Sequence, residues 1–293
     1  MINESGFKKY LDVEKNAAVA TTKAYLADIK EFEAYLSENG KWLTVAESSD
    51  VKDFLFRLKN ERRSGSTINR KMVSIRTYYE FLKLTGEVEK NPCYKVKVPK
   101  TEKKMPEYLS IEQIEALLEQ PDDSDLGKRD RALLELMYAC GLKASEVSEL
   151  NVHDADLRIG FISCRGDKTK ARIIPMGKPA RKALIEYMKT PRSNLVSGKK
   201  DTGALFLNYN GQRISRQGVW KIIKYYGKKA GISDNLNPQI IRNSFAAHMI
   251  MNGADLKSLQ ELLGHEDITA TKLFLSLAKA RVMDVYDKTH PRA

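Results

Sequence analysis

The sequence predicts a mainly α-helical protein with a small β-sheet, divided into two domains. Three observations lead to this fold class. Apolar residues recur at helical spacing along most of the 293-residue chain. One short region, residues 154–177, alternates instead as strands do. Between two regions that are each long enough to bury a core, residues 91–110 are rich in proline and lysine and show no helical period.

The first region, residues 1–95, is predicted to be a small helical bundle. Its clearest amphipathic segment, TTKAYLADIKEFEAYLSENG, stops at Asn39-Gly40, a typical helix end. The segments FKKYLDVEKN, DVKDFLFRLKNERR and STINRKMVSIRTYYEFLKLTG complete the predicted bundle. In the last of these Arg70 and Lys71 lie off the apolar face, so we expect a basic surface there.

Residues 96–109 are predicted to be a basic linker, and residues 110–293 to be a second, larger domain. Its first helix begins at Ser110-Ile-Glu-Gln, a capping box. Strands are predicted on both sides of the polar turn GDKTK, as a hairpin or a three-stranded sheet. The other predicted helices are 127–140, GLKASEVSEL, PARKALIEYMKT, SRQGVWKIIKYYGKKAG, PQIIRNSFAAHMIMNG, DLKSLQELLG and ITATKLFLSLAK.

The charge balance indicates a polyanionic partner. Lysine and arginine number 50 against 38 acidic residues, a formal charge of +12, which favours nucleic acid over an acidic membrane. No apolar run approaches the roughly 20 residues of a membrane span, and the N-terminus lacks a signal-peptide core, so we expect a cytoplasmic protein. Cys93, Cys140 and Cys164 are too widely spaced to indicate disulfides or a zinc site, and we expect no metal or cofactor.

Several strings in the second domain carry a resemblance. They are YACGLKASEVSEL (138–150), RIIPMG (172–177), PQIIRNSFAAHMIMNGADLKSLQELLGHEDITATKLF (238–274) and the terminal HPRA. Together they resemble the catalytic domain of the tyrosine recombinase, or phage integrase, family, and especially its Xer-type members. The resemblance covers essentially the whole chain. It implies a helical, SAM-like core-binding domain followed by an α+β catalytic domain.

The resemblance also implies partners and an assembly. The partner is double-stranded DNA, and the assembly is a homo- or hetero-tetramer on DNA in which each protomer passes its C-terminal segment to a neighbour. The segment that ends in DKTHPRA is the candidate for this exchange, and a simple intramolecular helix is the alternative. Without DNA we expect a monomer.

The chemistry implied by the family is cleavage and rejoining of DNA through a 3′-phosphotyrosyl intermediate. Two arginines hold the phosphate oxygens, while histidines and a hairpin lysine handle protons. At the matching positions this sequence keeps Arg242 and His265. It departs at three others, since Lys143 replaces an arginine, Gln239 replaces a histidine and Phe274 stands at the nucleophile position.

The hairpin lysine of the family falls in the turn GDKTK. Counting along the motif points near Asp167; we assign Lys168, with Lys170 as the alternative. Arg172, at the start of the next strand, is expected to be a surface or DNA-backbone contact. Four further basic residues are candidate phosphate contacts by the same resemblance: Arg70, Lys71, Arg213 and Arg216.

These departures favour a silent recombinase-fold protein that clamps duplex DNA. A phenyl ring has no oxygen to attack phosphorus, so no phosphotyrosyl bond can form at Phe274. Lys143 lacks the bidentate fork of arginine, and Gln239 cannot shuttle a proton. The alternative is an active site-specific recombinase in which the nucleophile has been replaced experimentally. Three separate changes favour natural loss, because a single engineered change would leave the rest of the site intact.

Two other residues have a structural interpretation. His248 follows Phe245 by three positions and is expected to be a buried histidine with its hydrogen bonds satisfied. Tyr286, twelve residues beyond Phe274, is expected on the apolar face of the last helix, and a relocated nucleophile is the weaker alternative.

Overall fold

The computed structural model describes residues 2–97, 105–165, 171–196, 198, 200–264 and 274. The chain forms two compact units, residues 1–103 and 104–293, and the described residues of each have an apolar core of their own. The predicted fold class, mainly helical with a small sheet, is confirmed. Within the described part of the chain, every helix is too short or too polar to cross a membrane.

The first unit is a bundle whose helices follow the apolar periodicity of the sequence. The predicted stop at Asn39-Gly40 is confirmed, since the second helix ends at Glu38 and Gly40 has a φ of 69°. In the core, the Phe7 ring meets Tyr78 edge-on at 4.9 Å. The helices are α1 (Glu4–Val13), α2 (Val19–Glu38), α3 (Ser48–Asn60) and α4 (Gly65–Leu84).

A buried carboxylate joins α2 to α4. Asp28 is 1% exposed; it pairs with Arg70 and accepts hydrogen bonds from Lys71 Nζ at 3.0 Å and Ser74 Oγ at 2.7 Å. Lys71 is itself buried, and its Nζ also lies 2.6 Å from Glu31. The expectation that Lys71 lies on a free basic surface is therefore wrong, because α4 turns it towards two carboxylates of α2. Arg70 keeps part of its side chain exposed.

The second unit is built around one buried helix. Leu133, Leu134, Leu136 and Met137 of that helix are fully buried, and it contacts several of its neighbours. The predicted capping box at Ser110 is present at the start of the unit. The helices are α5 (Ile111–Leu118), α6 (Asp125–Cys140), α7 (Ala144–Glu149), α8 (Lys178–Lys189), α9 (Pro191–Val196), α10 (Arg216–Lys229), α11 (Pro238–Met251) and α12 (Leu256–Leu263), with α6 the buried one.

The sheet is antiparallel, with the strands in the order β1 (Ala155–Asp156), β2 (Phe161–Cys164) and β3 (Arg172–Pro175). Ile162 of β2 faces Ile174 of β3, and both side chains are buried in the core of the second unit. The sequence predicted a hairpin or a three-stranded sheet, and the structure has the three-stranded form. The predicted turn between β2 and β3 lies outside the described residues.

Both ends of the predicted linker 96–109 belong to folded units. Val96 is buried in the core of the first unit. Leu109 is buried in the second unit, where its backbone N–H donates to Ser244 Oγ at 2.9 Å. The linker is therefore shorter than predicted. An apolar residue at each end of this polar stretch covers the edge of a core.

Helix α9 was not predicted. Six residues are too few to show a helical period, and the signal that could have indicated the helix is Pro191 at its first position. Arg192 holds the helix in place, since its guanidinium pairs with Asp201 at 2.7 Å and donates to the Ala204 carbonyl.

We expect Asp28→Asn to destabilise the first unit by about 2 kcal/mol. The loss is below the usual cost of breaking a buried ion pair because Glu31 still faces Lys71. Urea unfolding of the full chain, with hydrogen exchange of α2 and α4 read by mass spectrometry, measures it. The matched control Asp53→Asn, at an exposed position of α3, should change stability by less than about 0.5 kcal/mol. Equal effects of the two changes would contradict the assigned role of Asp28.

Candidate functional site

Arg242 is the buried cation of the site. It lies in the second turn of α11, which starts at Pro238 and is capped by the Asn237 side chain. The side chain is almost fully buried; Nη1 donates to the Gly141 carbonyl and Nη2 to the Leu263 carbonyl, both at 2.5 Å. These bonds tie α11 to the residue that follows α6 and to the last residue of α12.

A second buried carboxylate, Glu146, lies between two arginines. Arg172 of β3 binds it in a bidentate manner, with Nη1–Oε1 at 2.8 Å and Nη2–Oε2 at 3.0 Å. Arg242 Nη1 lies 3.6 Å from Oε2, and the backbone N–H of Lys143 donates to Oε2 at 2.8 Å. Arg172 Nε also donates to the Leu262 carbonyl at 2.8 Å. We call Glu146, Arg172 and Arg242 the ionic centre; it connects α7, β3, α11 and α12.

The expectation that Arg172 is a surface or DNA-backbone contact is wrong. Its side chain is 11% exposed, and each of its three nitrogens donates to Glu146 or to the Leu262 carbonyl. The backbone around it is adapted to the guanidinium. Gly264 has a φ of 62°, and a Cβ atom there would lie 2.9 Å from Arg172 Nη1. Glycine is required at 264 for both reasons.

The groups of the ionic centre are all charged at neutral pH. Burial alone would raise the pKa of Glu146. The bonds from Arg172 and the Lys143 N–H, with the charge of Arg242, outweigh burial and hold that pKa below its ordinary value. Burial lowers the pKa of Arg242 to about 10, although Glu146 acts in the opposite direction. Two guanidinium groups and one carboxylate therefore leave the centre with a net positive charge.

A cleft of about 280 Å³ lies beside the ionic centre. It brings Lys143 together with Gln239 and Arg242, which lie far from it in the chain. The starts of three helices meet there, since Lys143 precedes α7, Arg216 opens α10 and Asn237 precedes α11. Among the described residues that line the cleft, none is acidic. They are Lys143, Ala144, Ser145, Arg216, Trp220, Asn237, Pro238, Gln239 and Arg242.

The side chains of Lys143 and Gln239 are exposed at this cleft. Gln239 Nε2 donates to Asn243 Oδ1 at 2.9 Å, and Asn243 Nδ2 donates to the Glu107 carbonyl at 2.9 Å. The amide of Gln239 is thereby oriented along α11. An amide can donate and accept hydrogen bonds but cannot exchange a proton near neutral pH, so this position offers binding without acid-base chemistry.

Phe274 lies in an apolar cluster between α11 and α12. Its side chain is 3% exposed, so the ring serves as a packing residue. Nothing in the ring can act as a nucleophile. The other buried members of the cluster are Phe245, Ala246, Ala247, Ile250, Leu259 and Leu263.

The predicted phosphate contacts fall into different environments. Arg216 lines the cleft. Arg213, three residues earlier, has Nη1 bonded to the Ser148 and Leu150 carbonyls at 3.1 and 2.9 Å and Nη2 bonded to Asn151 Oδ1 at 2.5 Å. These bonds give Arg213 a structural role between the end of α7 and the loop before α10, and its interpretation as a phosphate contact stays a prediction. Arg70 and Lys71 belong to the first unit.

Several predicted positions cannot be compared with the structure. Both candidates for the hairpin lysine, the late histidine, the alternative tyrosine and the C-terminal segment lie outside the described residues: Lys168, Lys170, His265, Tyr286 and residues 275–293.

The structure also shows what sequence reasoning found and missed around the site. His248 is buried and its Nδ1 lies 2.9 Å from the Tyr138 hydroxyl, so that prediction is confirmed. The structural roles of Glu146 and Trp220 were missed. Glu146 stands three residues after Lys143, a capping-box spacing that could have indicated it. Trp220 stands one helical turn after Arg216, which could have placed it beside the same cleft.

The chain belongs to the phage integrase family. Residues 107–281 match the sequence profile of that family, and residues 5–86 match the profile of its N-terminal SAM-like domain. Fold and profiles agree, since the first unit is helical and the second combines helices with a small sheet.

Within the family the chain is similar to XerD-type tyrosine recombinases. It is 38% identical to tyrosine recombinase XerD of Oceanobacillus iheyensis over 289 residues, which covers 98% of this chain and 97% of the relative. It is also 38% identical to tyrosine recombinase XerD of Listeria innocua over 291 residues, covering 98% of each chain.

Solved structures of recombinases share the fold. The Tn1549 transposon integrase in complex with transposon right-end DNA has a TM-score of 0.75 at 20% identity, covering 97% of this chain and 99% of the other. The XerH recombinase bound to a palindromic difH substrate has a TM-score of 0.74 at 20% identity, covering 98% and 85%. At such identities the likeness concerns the fold alone.

We expect Glu146→Gln to destabilise the second unit by about 3 kcal/mol at neutral pH, because Arg172 and Arg242 lose the carboxylate between them. The folded pKa of Glu146 is depressed, so its contribution is present above the ordinary carboxyl pKa of about 4.3 and is lost as pH falls through the folded value. Urea unfolding at a series of pH values should show the two proteins converging in acid.

The matched control for this change is Glu149→Gln, at an exposed position of the same helix. It should have little effect at any pH. If the stability difference between Glu146→Gln and the parent stayed constant down to acid pH, it would contradict the conclusion that Glu146 is ionised in the folded protein.

Proposed function

We propose that this chain is an Xer-type, DNA-binding member of the family that holds a backbone phosphate of duplex DNA in the cleft and does not cleave the strand. The observation that carries the proposal is the meeting of three cations and three helix starts in one cleft. Helix N-terminal ends carry partial positive charge, and lysine and arginine are the usual protein ligands of DNA phosphates.

Arg242 can serve the fold and a phosphate at once. Each terminal nitrogen of a guanidinium carries two N–H groups. Nη1 bonds to the Gly141 carbonyl and faces Glu146 Oε2 at 3.6 Å, whereas Nη2 bonds to the Leu263 carbonyl and keeps a second N–H for a phosphate. The bonds already made hold the group rigidly, so a phosphate would meet a preorganised donor. Lys143 and Arg216, which are exposed, would add charge from the sides.

The absence of cleavage is proposed from three positions together. Phe274 offers no oxygen and lies in an apolar cluster. Lys143 stands where the family has an arginine, and Gln239 where it has a histidine. Losing a few kcal/mol of transition-state stabilisation at each position would leave a negligible rate, since about 1.4 kcal/mol is a tenfold loss. The alternative of an active recombinase with a replaced nucleophile requires that restoring a hydroxyl at 274 suffices.

The protein would also contact DNA outside the cleft. The chain carries a charge of +12, and Arg70 of the first unit is a partly exposed cation that could meet DNA there. Structures that share the fold were solved as DNA complexes, which supports duplex DNA as the partner. Assembly as a tetramer on DNA through residues 275–293 is proposed from the family resemblance.

Binding of duplex DNA should weaken steeply with salt, because bound lysines and arginines displace counterions. Lys143→Ala should weaken binding about fivefold and reduce the slope of log affinity against log salt by about 1. Fluorescence anisotropy of a labelled duplex at several salt concentrations measures both. The control Lys182→Ala removes an exposed lysine of α8 away from the cleft and should bind as the parent does. Affinity that is independent of salt would contradict phosphate recognition.

Phe274→Tyr alone should give no covalent adduct with a nicked suicide duplex that carries a recombination site of the XerD relatives. Arginine and histidine are still missing from the site, so a hydroxyl by itself gains little transition-state stabilisation. The triple change Phe274→Tyr, Lys143→Arg and Gln239→His serves as the positive control and should form the adduct. Denaturing gel electrophoresis detects it, and an adduct of the single variant at the rate of the triple variant would establish the active-recombinase alternative.

A further inference from the structure

We propose that Trp220 is a DNA contact, in which the indole packs against the deoxyribose next to the phosphate held in the cleft. This proposal rests on the function proposed above and adds to it an apolar contact with the sugar, beside the charged contacts with phosphate.

The position of Trp220 is the first argument. It follows Arg216 by four residues on α10, so the two side chains share one face of the helix, and both line the cleft. The indole is 46% exposed. Tryptophan is usually buried over most of its surface, and a large apolar ring left open beside a charged cleft is typical of a binding surface.

The orientation of the ring is the second argument. Lys224, one turn further along α10, has its Nζ 4.9 Å from the centroid of the Trp220 ring, a cation–π contact. The same Nζ donates to the backbone carbonyl of Asp234, which anchors the lysine. The contact with the ammonium favours one orientation of the indole. A preferred orientation lowers the side-chain entropy that binding would cost.

The DNA backbone has an apolar group that the Trp220 ring could contact. Lys143, Arg216 and Arg242 can bond to phosphate oxygens, and Trp220 is the aromatic ring among the described residues that line the cleft. Each backbone phosphate is bonded on both sides to a deoxyribose, whose C–H groups form the apolar part of the backbone. In a duplex the bases are stacked inside, so the sugar is the group that an aromatic ring beside a bound phosphate meets first. Aromatic rings commonly pack on nucleic acids beside basic grooves.

The two tryptophans of the chain allow a direct test. Trp42→Phe, in the first unit, leaves Trp220 as the single tryptophan. Adding unlabelled duplex DNA at low salt should shift its emission to shorter wavelength and reduce quenching by acrylamide, because the sugar replaces water at the ring. Anisotropy of a labelled duplex measures binding separately in the same protein.

Substitution gives the second readout. Trp220→Ala should weaken duplex binding about tenfold, near the low end of losses for aromatic contacts, while Trp220→Phe should keep most of the affinity. Tyr225→Ala is the matched control, because it removes an exposed ring from α10 that does not line the cleft. It should bind as the parent does.

The outcomes separate this proposal from the proposed function. If the parent protein binds no duplex in the anisotropy assay, the proposed function fails and this proposal fails with it. If the parent binds, but Trp220→Ala binds equally well and Trp220 emission is unchanged by DNA, only the assignment of Trp220 is overturned. Equal losses in Trp220→Ala and Tyr225→Ala would also overturn it, since they would indicate a general effect on α10.

Discussion

The carboxylate of Glu146, buried between Arg172 and Arg242, is the interaction on which the rest of the site depends. Its two oxygens meet a bidentate guanidinium from β3, a second guanidinium from α11 and the backbone N–H that starts α7. A buried charge of this kind is stable only when its partners are correctly placed, so it fixes α7, β3 and α11 relative to one another. The cleft is formed by the starts of two of those elements and of α10, and its shape follows from that arrangement.

The cations of the cleft and the Phe274 ring lie in different parts of the second unit. The positive charge of the cleft comes from helix starts and from residues at α7, α10 and α11. Phe274 lies in a separate apolar cluster of α11 and α12, where its phenyl ring packs without a hydroxyl. The packing of this cluster therefore does not depend on a hydroxyl at 274. Under the proposed function, this separation accounts in physical terms for a chain that holds a phosphate without cleaving the strand.

The sequence predicted the helices and the sheet well, because amphipathic spacing and strand alternation are local signals. It also identified Lys143, Gln239 and Arg242, which the fold brings together. It was less informative about which lysine and arginine side chains are exposed and which are bonded within the protein. Lys71 and Arg70 are adjacent, yet only Arg70 keeps an exposed side chain, and Arg213 and Arg216 are three residues apart with opposite environments. The partners that decide the difference are distant in the chain, so spacing alone could not show them.

The ionic centre also restricts which residue can stand at position 264, which is a glycine. Its backbone turns in the left-handed region directly after α12, and the space that a side chain would occupy holds the guanidinium of Arg172. Any mutation at this codon would push that guanidinium away from its carboxylate. A position without a functional group is thus fixed by the ionic centre, and the fold requires glycine there independently of any catalytic role.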